Sequence, residues 1–215
     1  MKRRVAIWVV AAVMGAVFLT VRFHRAVRAE PAVEPAQEAG SEVTSTPAKE
    51  PGMVKVKVIN AAGELIGPVE MPRVVKTDAE WQAQLGADTY KIARNKGTEA
   101  PFCGNLIDNH QEGVYSCVCC GLPLFASGAK FESGTGWPSF FQPIAPENII
   151  EHADNSLGIQ RTEILCARCD CHLGHVFEDG PRPTGLRFCL NSASLKFTNQ
   201  KSLWELAEPA APAEK

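Results

Sequence analysis

Tyr115-Ser-Cys117-Val-Cys119-Cys120-Gly121 and Cys166-Ala-Arg-Cys169 each carry a C-x-x-C pair: Cys117 with Cys120, and Cys166 with Cys169. A C-x-x-C turn sets two thiolates on one side of a tight loop, at a bite that suits a tetrahedral ion. Two such turns complete a closed four-thiolate site. A closed site leaves no open coordination position, so a metal held there is structural, and zinc is the expected ion. The competing reading is a pair of disulfides. Cys119 and Cys171 lie inside the same two segments and could substitute as ligands. Around these turns, residues 98–197 combine frequent glycine and proline with short apolar runs and little sustained helical periodicity. Short strands and structured loops, hence a mainly β fold, follow from that texture. A small loop-rich domain gains most from a metal clip, because binding is coupled to folding.

The chain has 215 residues, 45% hydrophobic and 21% charged, with a formal net charge of −2. These values fit a globular core and provide no basic footprint for nucleic acid. All eight cysteines lie between Cys103 and Cys189. One chemically active module, preceded by segments of different purpose, follows from that confinement.

Lys2, Arg3 and Arg4 open the chain, and an apolar run over residues 5–21 follows, broken only by Thr20. A basic start before such a run is the pattern of a signal peptide or membrane anchor, assigned to residues 1–29. Val27-Arg-Ala29 offers a small-residue cleavage site, while Arg22, Arg25 and Arg28 crowd the end of the run, so cleavage and retention both stay open. A buried core helix is the bland alternative. Export or membrane anchoring, with the chain facing the periplasm or cell exterior, is the expectation. Residues 30–52, rich in Pro, Ala, Glu and Ser, read as a flexible linker. Val54, Val56 and Val58 alternate with Lys55 and Lys57, and Asn60-Ala-Ala-Gly63 is a turn candidate, so residues 53–71 read as a possible β-hairpin extension. Thr77-Asp-Ala-Glu80 is a capping-box pattern starting a short helix through Leu85. Asp88 could cap a second helix ending near Gly97. The main domain is assigned to residues 72–201 and a disordered tail to residues 202–215.

Cys189 stands apart in Thr184-Gly-Leu-Arg187-Phe-Cys189-Leu-Asn191-Ser-Ala-Ser194, without a C-x-x-C partner. In an extended segment Arg187 and Asn191 share its face, and a guanidinium there favours the thiolate. His172 and His175 follow the second cysteine turn and supply proton donors or acceptors near neutral pH. Composition alone also allows a buried, inert thiol and two structural histidines. Trp137, between Gly136 and Pro138, reads either as a core anchor or as one wall of a pocket for a methyl or thioether group.

Three segments carry a resemblance: Lys130-Phe-Glu-Ser-Gly-Thr-Gly-Trp-Pro-Ser-Phe140, Cys169-Asp-Cys-His-Leu-Gly-His-Val-Phe-Glu-Asp-Gly-Pro181 and the stretch around Cys189. In this order they closely resemble the B-type methionine sulfoxide reductases, which reduce the R epimer at sulfur. The likeness covers about 120 residues, from near Val75 to near Phe197. It implies a small antiparallel β domain with short N-terminal helices and a zinc site at Cys117, Cys120, Cys166 and Cys169. It also implies Cys189 as the nucleophile on the sulfoxide sulfur. His172, His175, Asp179, Arg187 and Asn191 would surround the sulfoxide oxygen and thiol, with Trp137 against the substrate methyl. The implied course is a Cys189 sulfenic acid, condensation with a second thiol, and re-reduction by a thioredoxin-like protein, the substrates being oxidised proteins.

One position departs from the family. Many members carry the resolving cysteine in the Ser-Gly-x-Gly-Trp-Pro loop, where this chain has Thr135. Cys103 is the preferred substitute, then Cys171, then Cys119, with direct reduction by an external thiol as the remaining route. Two other classes compete: a zinc-ribbon-like binding module without activity, which predicts loss of the nucleophile or histidines, and a disulfide oxidoreductase or thiol peroxidase, which wants C-x-x-C in a βαβ context.

Overall fold

Residues 52–207 are described by the computed structural model. The signal or anchor segment, nearly all of the linker and residues 208–215 lie outside them. Among the described residues no helix is long and apolar enough to cross a membrane.

The Val-Lys alternation becomes strand β1 (Met53–Ile59), which pairs antiparallel with β2 (Leu65–Pro72) across the Asn60–Gly63 turn. Val56 and Val58 are buried while Lys55 faces out. The Asn60 side chain accepts from the Ala62 and Glu64 amides at 2.9 Å each, which fixes the turn locally. Helix α1 (Asp78–Ala93) starts on the expected capping box: the Thr77 hydroxyl accepts from the Glu80 amide, and the Glu80 carboxylate accepts from the Thr77 amide. Two helical pieces meet at Gly86, whose φ of 73° breaks the helical path. The break falls at Gly86 rather than Asp88, because glycine alone takes that backbone without a Cβ penalty. The second piece ends at Ala93, and the Gly97 amide closes back on the Lys91 carbonyl.

Strands β3 (Gly113–Cys117) and β4 (Pro123–Ala126) pair around the first cysteine turn. Next come β5 (Lys130–Phe131), β6 (Ser139–Phe140), β7 (Ile149–Asp154), β8 (Arg161–Cys166), β9 (His172–Phe177) and β10 (Arg187–Leu190). They form a six-stranded antiparallel sheet ordered β5-β6-β10-β9-β8-β7. Strand β11 (Leu195–Asn199) returns to pair with β3, completing a three-stranded sheet ordered β11-β3-β4. The fold is thus mainly β and antiparallel, as the texture of residues 98–197 indicates.

All five residues of β3 are buried, so it is a core strand on both faces. Its Tyr115 ring sits 4.9 Å from Phe140 and 5.0 Å from Phe197, and Phe125 sits 4.8 Å from Phe140 and 5.6 Å from Phe188. These aromatics join the two larger sheets. The reading of residues 202–215 as a disordered tail needs correction at its start. A 3-10 segment runs Gln200–Leu206, because Leu203 buries itself against Ile59 and Val114.

Asn148 is the polar counterpart of that aromatic cluster. Fully buried, it accepts from the Lys57 amide and donates to the Lys57 and Pro123 carbonyls, at 2.7 Å each. Its own carbonyl accepts from Ala167 in the second cysteine turn at 3.0 Å. One side chain therefore stitches β1 to the start of β4. Asn148→Ala should cost about 3 kcal/mol of unfolding free energy, because it orphans buried backbone groups. Urea titration checks this, with the midpoint expected to fall at unchanged slope.

Candidate active site and cysteine cluster

The two cysteine turns are built alike. In the first, the Gly121 amide donates to the Cys117 carbonyl at 2.9 Å and the Cys117 amide to the Leu122 carbonyl at 2.8 Å. In the second, Asp170 donates to Cys166 at 2.9 Å and Cys166 to Cys171 at 3.0 Å. Both need a left-handed residue four places after the first cysteine, supplied by Gly121 (φ 78°) and Asp170 (φ 56°). Helix α1 and its C-cap residue grip the two turns: the Gln84 amide donates to the Cys119 carbonyl at 2.7 Å, and the guanidinium of the C-cap Arg94 to the Cys169 carbonyl at 2.6 Å.

The result brings Cys117, Cys120, Cys166 and Cys169 together, every sulfur within 4.8 Å of the others. Cys117 and Cys169 are 3.6 Å apart, and Cys120 and Cys166 are 3.5 Å apart. Burial pushes the Cys117 and Cys166 thiols up, whereas the hydrogen bond from Cys117 draws Cys169 down to about 5. This quartet could hold a metal ion. A second group, Cys117, Cys119 and Cys171, meets the same spacing.

Cys189 lies on β10, paired across to His175 on β9 and Ser139 on β6. It is half-buried in an open pocket of about 140 Å³ shared with Thr98, Trp137, His175, Phe177 and Asn191. Gly174 keeps the pocket floor flat, since a Cβ there would stand 2.1 Å from the Cys189 carbonyl oxygen. Burial pushes the Cys189 thiol up, against hydrogen bonding from Thr135 and the charge of Arg187. The Thr135 hydroxyl is 3.9 Å from the sulfur. It continues through Ser133 at 2.8 Å to Ser139 at 2.7 Å, a chain of hydroxyls ending beside the thiol. Arg187 is fixed by a two-point bond to Asp179, 2.8 Å at each contact, and its guanidinium stacks 4.4 Å from the Phe177 ring.

His172 and His175 come together, ring centroids 5.6 Å apart, because of a β-bulge. The β8–β9 register slips between Ile164 and Leu165, which turns two residues three apart to one side. His175 Nε2 meets Asp154 at 2.8 Å, and Arg161 holds the same carboxylate oxygen at 2.7 Å. Hydrogen bonds from Ser156, then His175, hold the Asp154 carboxyl well below its ordinary range. His172 Nδ1 meets Glu163 at 2.7 Å, and Lys96 ties the other Glu163 oxygen at 2.7 Å. Burial tends to raise Glu163, but the Lys96 and His172 hydrogen bonds outweigh it and leave the carboxyl low. Burial draws His172 down despite Glu163, so the ring is neutral near pH 7.

Trp137 is anchored by its indole N–H, which donates to the Glu99 carbonyl at 3.1 Å. Glu99 in turn accepts from the Ser192 and Ala193 amides at 2.6 and 3.0 Å, and its own amide donates to the Asn191 side chain at 3.1 Å. Asn191 therefore orders the pocket rim and is itself buried. Cys103 is exposed, in a loop whose Phe102 amide donates to the Gly136 carbonyl at 2.8 Å. That bond sets the loop of Cys103 against the loop of Thr135. Cys171 does not join the pocket: it is fully buried, just before β9, beside Cys117 and Cys119. Cys119 stays with the cysteine turns.

Asp154, Glu163, Arg161, Lys96 and Glu99 are not among the site residues read out of the sequence. They act through cross-strand register and long loops, for which a single sequence carries no local signal. Glu163, an acid inside the apolar run of β8, is the one visible hint.

A model of the SelR domain matches residues 85–199. A peptide methionine sulfoxide reductase MsrB of Herminiimonas arsenicoxydans is 58% identical over 125 residues, covering 58% of this chain and 91% of that protein. The MsrB of Hahella chejuensis is 57% identical over 127 residues, 59% of this chain and 91% of its own length. An MsrB of Acinetobacter baumannii is 55% identical over 131 residues, 61% of this chain and 94% of that protein.

Because Arg187 favours the anionic sulfur, Arg187→Met should raise the Cys189 pKa and slow its reaction with iodoacetamide at pH 7. The rate–pH curve of Cys189 alkylation should move to higher pH; an unmoved curve would show that the guanidinium does not govern the thiol.

Proposed function

This chain belongs to the SelR domain family, and on that premise we propose that it reduces methionine-R-sulfoxide to methionine with Cys189 as nucleophile. The observation that carries the reading is a half-buried thiol in a pocket that also presents an anchored indole and a carboxylate-held imidazole. The sulfoxide side chain sits with its methyl against Trp137 and its sulfur facing Cys189. The thiolate attacks that sulfur, and the oxygen takes a proton from His175, whose Nε2 is fixed to Asp154 so that Nδ1 is the position for the mobile proton. Cys189 ends as a sulfenic acid, oxidised by two electrons, and the sulfoxide leaves as the thioether, reduced by two. Arg187, held by Asp179, offsets anionic charge at the sulfur, while neutral His172 supports the His175 ring edge-on.

Recycling requires a second thiol. Cys103 is the candidate favoured by geometry, since its exposed loop is bonded to the loop carrying Thr135. The sulfenic acid condenses with the Cys103 thiol, releasing water, and a thioredoxin-like dithiol reduces the resulting disulfide. The open pocket suits a methionine on an oxidised protein. Export through residues 1–29, cleaved or retained as an anchor, would place the enzyme among envelope proteins, with residues 30–52 as its tether.

The quartet fits structural zinc: four Zn–S bonds of about 2.3 Å imply sulfurs about 3.8 Å apart, close to the 3.5 and 3.6 Å contacts. With all four positions filled by protein, the ion clamps the two turns and takes no part in the redox step.

Separate assays on the R and S sulfoxides test the activity. The R epimer should be reduced and the S epimer not, and Cys189→Ser should lower turnover by at least about a thousandfold. Equal activity on both epimers, or an active Cys189→Ser variant, contradicts the reading. After one turnover without reductant, peptide mapping should find Cys103 joined to Cys189; a free Cys103 beside oxidised Cys189 would favour direct external reduction. Zinc removal by a chelator should abolish cooperative thermal unfolding of the domain, followed by circular dichroism.

A further inference from the structure

Cys119 and Cys171 have no part in the chemistry above, yet both are buried, 5% and 0% exposed, on the flank of Cys117. The sulfurs of Cys117, Cys119 and Cys171 all lie within 4.8 Å of one another, the same spacing as the quartet. The likeness of the two turns shows that these thiols are not needed for the backbone. Cys171 closes the second turn where Leu122 closes the first, and Cys119 stands where the second turn has Arg168. Aliphatic or charged side chains serve those positions equally well, so the two thiols bring a capacity that folding does not demand.

We propose that Cys117, Cys119 and Cys171 form a second, three-thiolate site for a soft monovalent d10 cation of the Cu(I) type, with Cys117 bridging it to the zinc site. Three sulfur donors converge there, and among the described residues no fourth histidine, cysteine or carboxylate completes the group at that spacing. Zinc demands four ligands, whereas thiolate sulfur is the preferred donor for Cu(I), which is content with three. A thiolate bound to zinc keeps lone pairs for a second metal, so sharing Cys117 leaves the quartet intact. Binding is coordination without electron transfer: the Cys119 and Cys171 thiols each release a proton to solvent as their sulfurs bond the cation. The added charge is small, two thiolates against one cation, and the Arg94 guanidinium stands on the Cys169 carbonyl beside the cluster.

The bridging part of this proposal rests on the zinc reading, and the experiment separates the two. The zinc-loaded full chain, with Cys103 and Cys189 first alkylated, is titrated anaerobically with Cu(I) from a competing bathocuproine complex. Copper and zinc per chain are then measured after desalting. One Cu(I) bound with zinc retained is expected, and Cys119→Ser/Cys171→Ser should keep zinc but lose the copper. Should the double variant fail to fold, each single variant should hold Cu(I) more weakly and give it up at a lower bathocuproine concentration, since one of the three donors is gone. Undiminished copper binding in these variants overturns the proposal. So does zinc release matching copper uptake, or a Cys119–Cys171 disulfide in the zinc-loaded chain. A purified chain without zinc contradicts the zinc reading and the bridge, while copper uptake lost in the double variant still assigns the three-thiolate site.

Discussion

Convergence of two cysteine turns, far apart in sequence, is the constraint on which the other parts of the structure depend. The first turn ends β3, the fully buried strand of the aromatic core, and the second joins β8 to β9. Bringing Cys117 and Cys120 against Cys166 and Cys169 fixes where β9 begins. Strand β9 then carries His172 and His175, and its register with β10 sets Cys189 opposite His175. The chemistry of the pocket is thus indexed to the cysteine cluster through one strand. Helix α1 reinforces the frame, since Gln84 and Arg94 reach the backbone of both turns.

Around Cys189, polar side chains are held in place by carboxylates that are themselves tied to basic groups. Asp154 links His175 to Arg161, Glu163 links His172 to Lys96, and Asp179 locks Arg187. Burying such groups is costly unless each finds its partner, which ties pocket geometry to the whole network. Fixed orientation is the return on that cost: the His175 imidazole and the Arg187 guanidinium are each held in one position by their carboxylate partners.

Much of this was legible in the sequence, for physical reasons. Paired C-x-x-C spacing encodes a local turn, so the four cysteines were readable one turn at a time. The Val-Lys alternation of β1 and the Thr77–Glu80 capping box are local codes too, and both appear in the structure. Membership in the SelR family and the antiparallel β architecture agree with the resemblance carried by three short segments. Interactions set by register were not legible. Nothing near Asp154 in the chain points to His175, twenty-one residues away, and the bulge that gathers the two histidines depends on how β8 meets β9. The start of the expected tail was also misplaced, since the burial of Leu203 against Ile59 joins residues far apart in the described domain.

Everything proposed for the pocket turns on one step, in which the Cys189 sulfur itself takes the oxygen from the substrate. A single-turnover experiment without reductant tests it most directly, using Cys103→Ser protein, methionine-R-sulfoxide, and dimedone to trap sulfenic acid. One methionine formed per chain and one dimedone adduct, located on Cys189 by peptide mapping, are expected. Methionine formed without an adduct at Cys189, or an adduct confined to another cysteine, would contradict that step.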